Sequence, residues 1–285
     1  MSFFARGAAA LKLLLAAPLL LPDADYPRQI EQWRAQREAV LKADDGWLTV
    51  VGLFWLEEGP NPAGADPHSS VILPRGPAHA GVFERKGDHI AFHALADGFV
   101  SKSDLRSDAD GKPYLLQFDG LTLFVIRRGG RFAVRVRDTR SAYRTEFIGL
   151  RWFPIDERYR VEAKFVPYDP PRTVSIPTIL GTTEKQPSPG YAAFNLHNIE
   201  CRLDAVTEDN ELFFIFHDRT AENQTYPSGR FLKADLPKDG KVILDFNKAY
   251  TPPCAFTPYA TCPLPPPQNR LPIRILAGEL NYNHH

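Results

Sequence analysis

The sequence has few methionines and cysteines and no excess of basic residues. Its 285 residues include one methionine and three cysteines, and 34 lysines and arginines balance 34 aspartates and glutamates. A chain without a basic surplus is poorly suited to phosphate backbones, so nucleic acid is not expected as a partner. A methionine-rich promiscuous groove is excluded because the one methionine is the initiator.

Familiar catalytic motifs are also missing. The sequence contains no G-x-S-x-G elbow, no P-loop, no G-x-G-x-x-G fingerprint and no H-E-x-x-H pair. The spacing from Cys254 to Cys262 matches neither a zinc knuckle nor the C-x-x-C of thiol–disulfide enzymes. No cofactor and no metal are therefore predicted, and the sequence leaves open whether the protein is an enzyme.

The first 24 residues resemble a leader segment. Arg6 precedes an apolar run from Ala8 to Leu21, which is typical of a signal sequence and too short for a transmembrane helix. Residues 1–24 are predicted to be a signal or leader and residues 25–285 to form one β-rich domain. A periplasmic or secreted location follows, with a cytoplasmic location as the alternative.

The remaining chain is predicted to be mainly β, an antiparallel sandwich or barrel-like domain with an N-terminal helix. Apolar residues recur at helical spacing in Tyr26–Ala43, and we expect this helix to pack through Ile30, Trp33 and Val40. Alternating residues then predict a hairpin around the R-R-G-G turn at 127–130 and strands at Tyr159–Phe165, Leu212–Phe216, Val242–Phe246 and Leu271–Ile275. The segment 167–173 is either a subdomain junction or a crossing loop.

The stretch from Leu244 to Glu279 is unusual because it combines many prolines with two cysteines. Proline fixes φ, so the loop Thr251–Arg270 is predicted to be rigid although it lacks regular structure. Cys254 and Cys262 are candidates for a disulfide that would staple this loop in an oxidising compartment. Cys201 is expected to be a small buried hydrophobic residue.

The core of that loop, PPCAFTPYATCPLPP, resembles the C-terminal signature of a bacterial family catalogued as domain of unknown function 1684. The resemblance extends to four upstream blocks and covers roughly Trp33 to Glu279. These blocks are Gly46–Gly59, Val125–Asp138, Gly149–Val161 and Gly229–Leu232. The resemblance implies no activity, so each candidate residue is chosen for its chemistry.

Polar side chains near strand ends predict a small-molecule pocket framed by the proline-rich loop. The candidate substrate-binding residues are Asp138, Arg230, Asp245, Asn247, Tyr259, Asn269 and Arg270. Arginine and asparagine are suited to carboxylates or sugar hydroxyls. Asp138 falls in register with the core-facing residues of its strand, so Arg137 or Arg151 is the expected partner unless the acid faces a cavity.

Two functions fit these observations. One is an enzyme acting on a small polar or anionic organic molecule. The alternative is a non-catalytic ligand-binding or structural β-domain of the cell envelope. The first predicts titratable groups in a cleft, and the second predicts a cavity without them. The oligomeric state is left open.

Overall fold

The structure, a computed structural model, describes residues 25–282, so the predicted leader lies outside the described residues. The chain begins with helix α1 (Tyr26–Lys42), which has proline in its first turn. Ile30 and Leu41 are buried, and Trp33 packs edge-on against Trp152. The expected packing of Val40 is wrong: this residue is 50% exposed, because the helical repeat turns Leu41 inward instead.

The first half of the body consists of two four-stranded sheets. The strands are β1 (Val50–Trp55), β2 (Gly59–Gly64), β3 (Val71–Ile72), β4 (Gly81–Lys86), β5 (His89–Ala94), β6 (Leu116–Phe118), β7 (Leu121–Arg128) and β8 (Arg131–Asp138). One sheet has the order β1-β8-β7-β6 and the other β3-β2-β4-β5, and all neighbours are antiparallel except β2 and β3.

The predicted hairpin is confirmed by β7 and β8. Arg128 pairs with Arg131 across a two-residue turn, Gly129–Gly130, in which both glycines have positive φ. A turn of this kind matches the twist of antiparallel strands and needs residues without a Cβ. The apolar side chains of β8 then face the core, with Val134 and Val136 fully buried.

The second half is one six-stranded antiparallel sheet that follows the short helix α2 (Ala142–Thr145). Its strands are β9 (Arg160–Pro177), β10 (Thr183–Leu196), β11 (Ile199–Glu208), β12 (Glu211–Phe216), β13 (Arg230–Ala234) and β14 (Lys241–Asp245). Their order in the sheet is β13-β12-β11-β10-β9-β14. Residues 167–173 lie within β9, which pairs with β10 along most of its length.

Both faces of the six-stranded sheet are covered, as the continuous apolar run of β12 predicts. Phe214 and Phe216 belong to one buried cluster, whereas Phe213 and Ile215 belong to another. Successive residues of a strand point to opposite faces, so the two clusters lie on opposite sides of this sheet. The cluster around Phe213 and Ile215 also contains Cys262, which brings the proline-rich loop onto that face.

The prediction of a strand at Leu271–Ile275 is wrong. The three apolar residues of this segment are buried in alternation, but it forms no strand. Part of its backbone pairs with the chain just after β12: the Leu271 N–H donates to the His217 carbonyl at 2.7 Å, and the Arg219 N–H donates to the Ile273 carbonyl at 2.9 Å. Side chains complete the pairing. The Ile275 N–H donates to Asp218, and Arg230 donates to the Ile275 carbonyl. These side chains satisfy the backbone groups that a sheet ladder would otherwise pair.

The predicted fold class is confirmed: the described residues form a mainly β protein of antiparallel sheets with an N-terminal helix. Between residues 25 and 282, every helix is too short or too polar to cross a bilayer.

Candidate functional site

A cavity of about 660 Å³ opens on the face of the six-stranded sheet that carries Phe213. Helix α1, strand β7, strands β10 to β13 and the proline-rich loop all contribute to its walls. The lining residues are Arg37, Val40, Trp47, Arg128, Thr178, Glu184, Gln186, Pro187, Thr207, Glu208, Phe213, Phe231, Tyr250, Pro253, Thr261, Cys262 and Pro263. This volume lies in the range of small-molecule sites.

One wall of the cavity is aromatic. The Phe231 ring meets Phe213 and Tyr250 edge-on, with centroids 5.0 and 5.7 Å apart. Burial raises the pKa of Tyr250 to about 12, so its hydroxyl keeps its proton at physiological pH. Trp47 adds a fourth ring to the lining. Such a wall favours a ligand with an apolar or aromatic body.

Two arginines approach the cavity near Thr261. Arg128 lines the cavity, is paired with Asp108 at 2.8 Å, and donates to the Thr261 hydroxyl at 3.2 Å. Arg135 reaches the same hydroxyl at 3.5 Å and lies over the Trp47 ring at 5.0 Å. One threonine thus joins two guanidinium groups at the cavity wall.

Arg135 is buried without an acidic partner. It is only 4% exposed, and its Nε has no hydrogen-bond partner. Within the described residues no carboxylate forms an ion pair with it. Burial and then the neighbouring Arg128 cation lower the pKa of Arg135 to about 10, so it stays charged at neutral pH. A buried cation without a counter-ion costs folding stability.

Helix α1 contributes a third arginine to the cavity, and this one is neutralised. Arg37 donates to the Glu279 carboxylate at 3.4 Å and to the Thr251 carbonyl at 2.9 Å. Its guanidinium also lies 4.7 Å from the centroid of the Tyr250 ring. Glu279 is fully buried, and burial raises its pKa despite the nearby Arg37. This contact fixes the helix at the edge of the aromatic wall.

Two acids also line the cavity. Glu208 is paired with Lys233 at 3.0 Å, at the end of strand β11. Glu184 lies on β10, and its side chain takes part in no ion pair or hydrogen bond within residues 25–282. Its carboxylate is therefore an unengaged hydrogen-bond acceptor in the cavity.

The two loop cysteines lie together, as the proline-rich loop predicts, and both are free thiols. The Cys254 N–H donates to the Cys262 sulfur at 3.2 Å. Cys262 lines the cavity and is 4% exposed, whereas Cys254 is half-buried. Cys201 lies apart on β11 and is 5% exposed, which confirms the expectation of a small buried residue.

The seven candidate residues from the sequence are all described, and none lines this cavity. Arg230 is 1% exposed and forms an ion pair with Asp218 at 3.0 Å. It also donates to the Ile275 carbonyl at 3.1 Å. Its hydrogen bonds thus hold the C-terminal segment against the sheet.

Asp245 and Asn247 belong to a separate network around the start of helix α1. The Tyr26 hydroxyl donates to Asp245 at 2.8 Å, and the Asn247 amide donates to the Tyr26 oxygen at 2.9 Å. Asn247 also exchanges two hydrogen bonds with the backbone of Asp156. These contacts fasten the helix to the sheet and leave Asn247 fully buried.

The other four candidates lie at further separate places. Asn269 is buried and bonds to the backbones of Asp204 and Ile215, as expected for a loop that returns to the sheet. Arg270 is exposed and Tyr259 is half-buried. Asp138 is paired with Arg75 at 2.8 Å, not with the expected Arg137 or Arg151. The sequence places Arg75 in a turn sixty-three residues away, so its spacing gives no sign of this contact.

The site residues that sequence analysis missed are Arg128, Arg135 and Glu184. Arg135 alternates with the core residues of β8 and therefore resembles a solvated side chain in the sequence. It is buried because Trp47, far away in sequence, covers that face of the strand. The prediction that the proline-rich loop frames a pocket stays a proposal, although four of its residues lie in the cavity wall.

No group of three or more histidine, cysteine, aspartate or glutamate residues between 25 and 282 is placed to hold a metal ion. Asp218 and Asp245 are engaged in the two separate networks around Arg230 and Tyr26.

Comparison with known proteins gives a family but no activity. A search of curated proteins found no match. The solution NMR structure of an uncharacterized protein from Haloarcula marismortui is 33% identical; the alignment covers 48% of this chain and 78% of that chain, with a TM-score of 0.41. The family described as "Protein of unknown function (DUF1684)" matches residues 145–280, a shorter stretch than the expected Trp33–Glu279. The chain belongs to this family.

Proposed function

We propose that the protein binds a small organic anion with an aromatic or apolar body in the cavity beside Arg128 and Arg135. The observation that carries this proposal is the buried Arg135 guanidinium, which has no acidic partner and contacts the lining residues Thr261 and Trp47. Two guanidinium groups converge on Thr261, and only one carboxylate, that of Asp108, neutralises them. A ligand carboxylate would supply the missing counter-charge.

The remaining lining specifies the rest of the ligand. Four aromatic rings favour an apolar body. Glu184 is an unengaged acceptor, and it repels a second anionic group. The ligand should therefore carry one carboxylate and, at another position, a hydroxyl or amine that donates to Glu184. A hydroxylated aryl acid is the simplest molecule of this class.

Thermal unfolding with a matched pair of ligands tests the proposal. We expect 4-hydroxyphenylacetate to raise the melting temperature and its neutral amide, 4-hydroxyphenylacetamide, to have little effect. A ligand at one hundred times its dissociation constant adds about 2.7 kcal/mol to the free energy of unfolding. If neither compound shifts the transition, or both do so equally, the anion-binding proposal is wrong.

The variant Arg135→Gln separates a ligand-binding role from a structural one. Because it removes a buried charge without an acidic partner, we expect the ligand-free variant to be as stable as the wild type or more stable. It should lose the preference for the carboxylate over the amide. Arg131→Gln is the matched control, since Arg131 lies on the same strand but is exposed. Destabilisation by Arg135→Gln would indicate that Arg135 serves the fold.

The alternative function is a non-catalytic β-domain of the cell envelope. Turnover of a bound ligand, measured by chromatography after prolonged incubation, distinguishes an enzyme from a binding protein. We also propose that residues 1–24 export the protein, on the basis of their apolar run after Arg6. Fusion of these residues to a reporter that is active only after export tests the location.

A further inference from the structure

The two loop cysteines are held in contact by the backbone of a rigid loop. Besides the hydrogen bond from the Cys254 N–H to the Cys262 sulfur, the Cys262 carbonyl accepts from the Ile179 N–H at 3.0 Å. The Leu264 N–H donates to the Pro177 carbonyl at 2.7 Å. These bonds tie the loop to the end of strand β9, so both sulfurs keep their positions beside the cavity.

The two thiols differ in environment. The pKa of Cys254 is lowered, first because Cys262 stabilises its thiolate, and this effect outweighs the opposing effect of burial. The pKa of Cys262 is raised, first because its proton is held by the Cys254 sulfur and second because the residue is buried. Burial also raises the pKa of the distant Cys201. Only Cys254 combines stabilisation of the thiolate with partial exposure.

We propose that Cys254 and Cys262 form a thiol–disulfide exchange site for low-molecular-weight disulfides, with Cys254 as the attacking thiolate and Cys262 as the resolving thiol. The geometry that points to this is the direct contact of the two residues, the half-buried position of Cys254 and the place of Cys262 in the cavity wall. Arg135 also lies near Cys262 and would favour the thiolate that resolution requires.

The reaction consists of two exchanges. The Cys254 thiolate attacks one sulfur of the ligand disulfide, whose S–S bond breaks; one thiolate leaves and takes up a proton, and a mixed disulfide forms on Cys254. Cys262 then loses its proton and attacks the Cys254 sulfur, which releases the second ligand thiolate to be protonated. The two protein thiols lose two electrons, and the ligand disulfide gains them and becomes two thiols.

The proposal does not depend on anion binding by the cavity, because it concerns the thiols alone. Oxidised glutathione added to the reduced full-length chain is the probe, with iodoacetamide quenching and intact-mass measurement. The wild type should form an internal disulfide and retain no glutathione. Cys262→Ser should accumulate one glutathione on Cys254, because the resolving thiol is missing.

Cys254→Ser should react with oxidised glutathione about tenfold more slowly than the wild type, because its remaining thiols are buried and hold their protons. Cys201→Ser is the control and should behave like the wild type. Equal rates for Cys254→Ser and Cys262→Ser, or a wild type that stays reduced or keeps glutathione, would overturn the proposal. Peptide mapping of the wild type after a short exposure identifies the first cysteine modified without any substitution.

Discussion

The two most buried arginines of the strands have opposite surroundings. Arg230 is paired with Asp218 and donates to backbone carbonyls of the C-terminal segment. Arg135 has no acidic partner and reaches one threonine hydroxyl at the limit of hydrogen-bond distance. Burial of a charge has structural value only where partners satisfy it. The first residue therefore stabilises the fold, and the second is the one that we propose pairs with a ligand.

Arg230→Ala should destabilise the protein by about 3–5 kcal/mol, because it leaves the Asp218 carboxylate buried without its counter-ion. The free energy of unfolding in guanidinium chloride measures this loss. Arg158→Ala is the control; the Arg158 side chain is 80% exposed, and its removal should change stability by less than about 0.5 kcal/mol. If Arg230→Ala were as stable as the wild type but no longer bound the ligand, Arg230 would be a ligand-binding residue and this prediction would be wrong.

Glu279 should make stability depend on pH. Burial raises its pKa in the folded protein, so the folded state holds the proton more tightly than the unfolded state does. Its contribution is complete below the ordinary glutamate pKa of about 4.3 and is lost as pH rises through the folded-state pKa. The stability of wild type minus that of Glu279→Gln should therefore fall between acidic and neutral pH.

Urea unfolding across this pH range measures the difference, with the exposed Glu146→Gln as control. A difference that is constant or that rises with pH would contradict the prediction. Because Arg37 joins Glu279 to the cavity edge, the same titration should alter the wall next to Tyr250.

At the scale of elements, helix α1 is fastened at both ends by buried polar groups. Tyr26 holds the first turn through Asp245 and Asn247, and Arg37 holds the later part through Glu279. Burial and then the adjacent Asp245 raise the pKa of Tyr26, so the hydroxyl remains a donor. The helix thereby keeps Arg37 and Val40 at the cavity.

Tyr26→Phe should cost about 1–3 kcal/mol, because Asp245 and Asn247 lose a buried hydrogen-bond partner. Chemical denaturation measures the loss. Tyr114→Phe is the matched control, since Tyr114 lies at the surface and its ring can keep the contact with Lys102. Equal stability of both variants would show that the hydrogen bonds around Tyr26 contribute little.

Local patterns predicted the elements that depend on neighbouring residues. The β7–β8 hairpin follows from alternation and two glycines, and helix α1 follows from its repeat and Pro27. The Leu271–Ile275 segment could not be predicted correctly, because its backbone partners include side chains of Asp218 and Arg230. Its alternating burial is that of a strand, but its hydrogen bonds come from residues about fifty positions away.

The candidate site could be located from the sequence more readily than its residues. The proline content predicts a rigid loop at residues 251–270, and Cys262 and Thr261 of that loop line the cavity. Polarity alone selected Arg230 and Asn247, which are held in structural networks. A sequence shows that a side chain is polar, but not whether a distant residue already satisfies it.

At the scale of the whole molecule, we expect the fold to begin with helix α1. Removal of residues 1–24 should leave the melting temperature nearly unchanged, because their apolar run lacks the amphipathic spacing of a packed helix. Removal of residues 1–43 should lower it by many degrees, since the buried contacts of Ile30 and Tyr26 are lost with the helix. A large drop for the shorter deletion would show that the leader belongs to the fold.

The cavity wall combines residues from both halves of the chain. Arg37, Trp47 and Arg128 precede residue 145, whereas Glu184, Phe213, Tyr250 and Cys262 lie within the stretch 145–280 that the family model matches. The two thiols and most of the aromatic wall therefore belong to one part of the chain, and the arginines of the wall belong to the other. A substitution before residue 145 can thus change the charge of the cavity and leave both thiols in place.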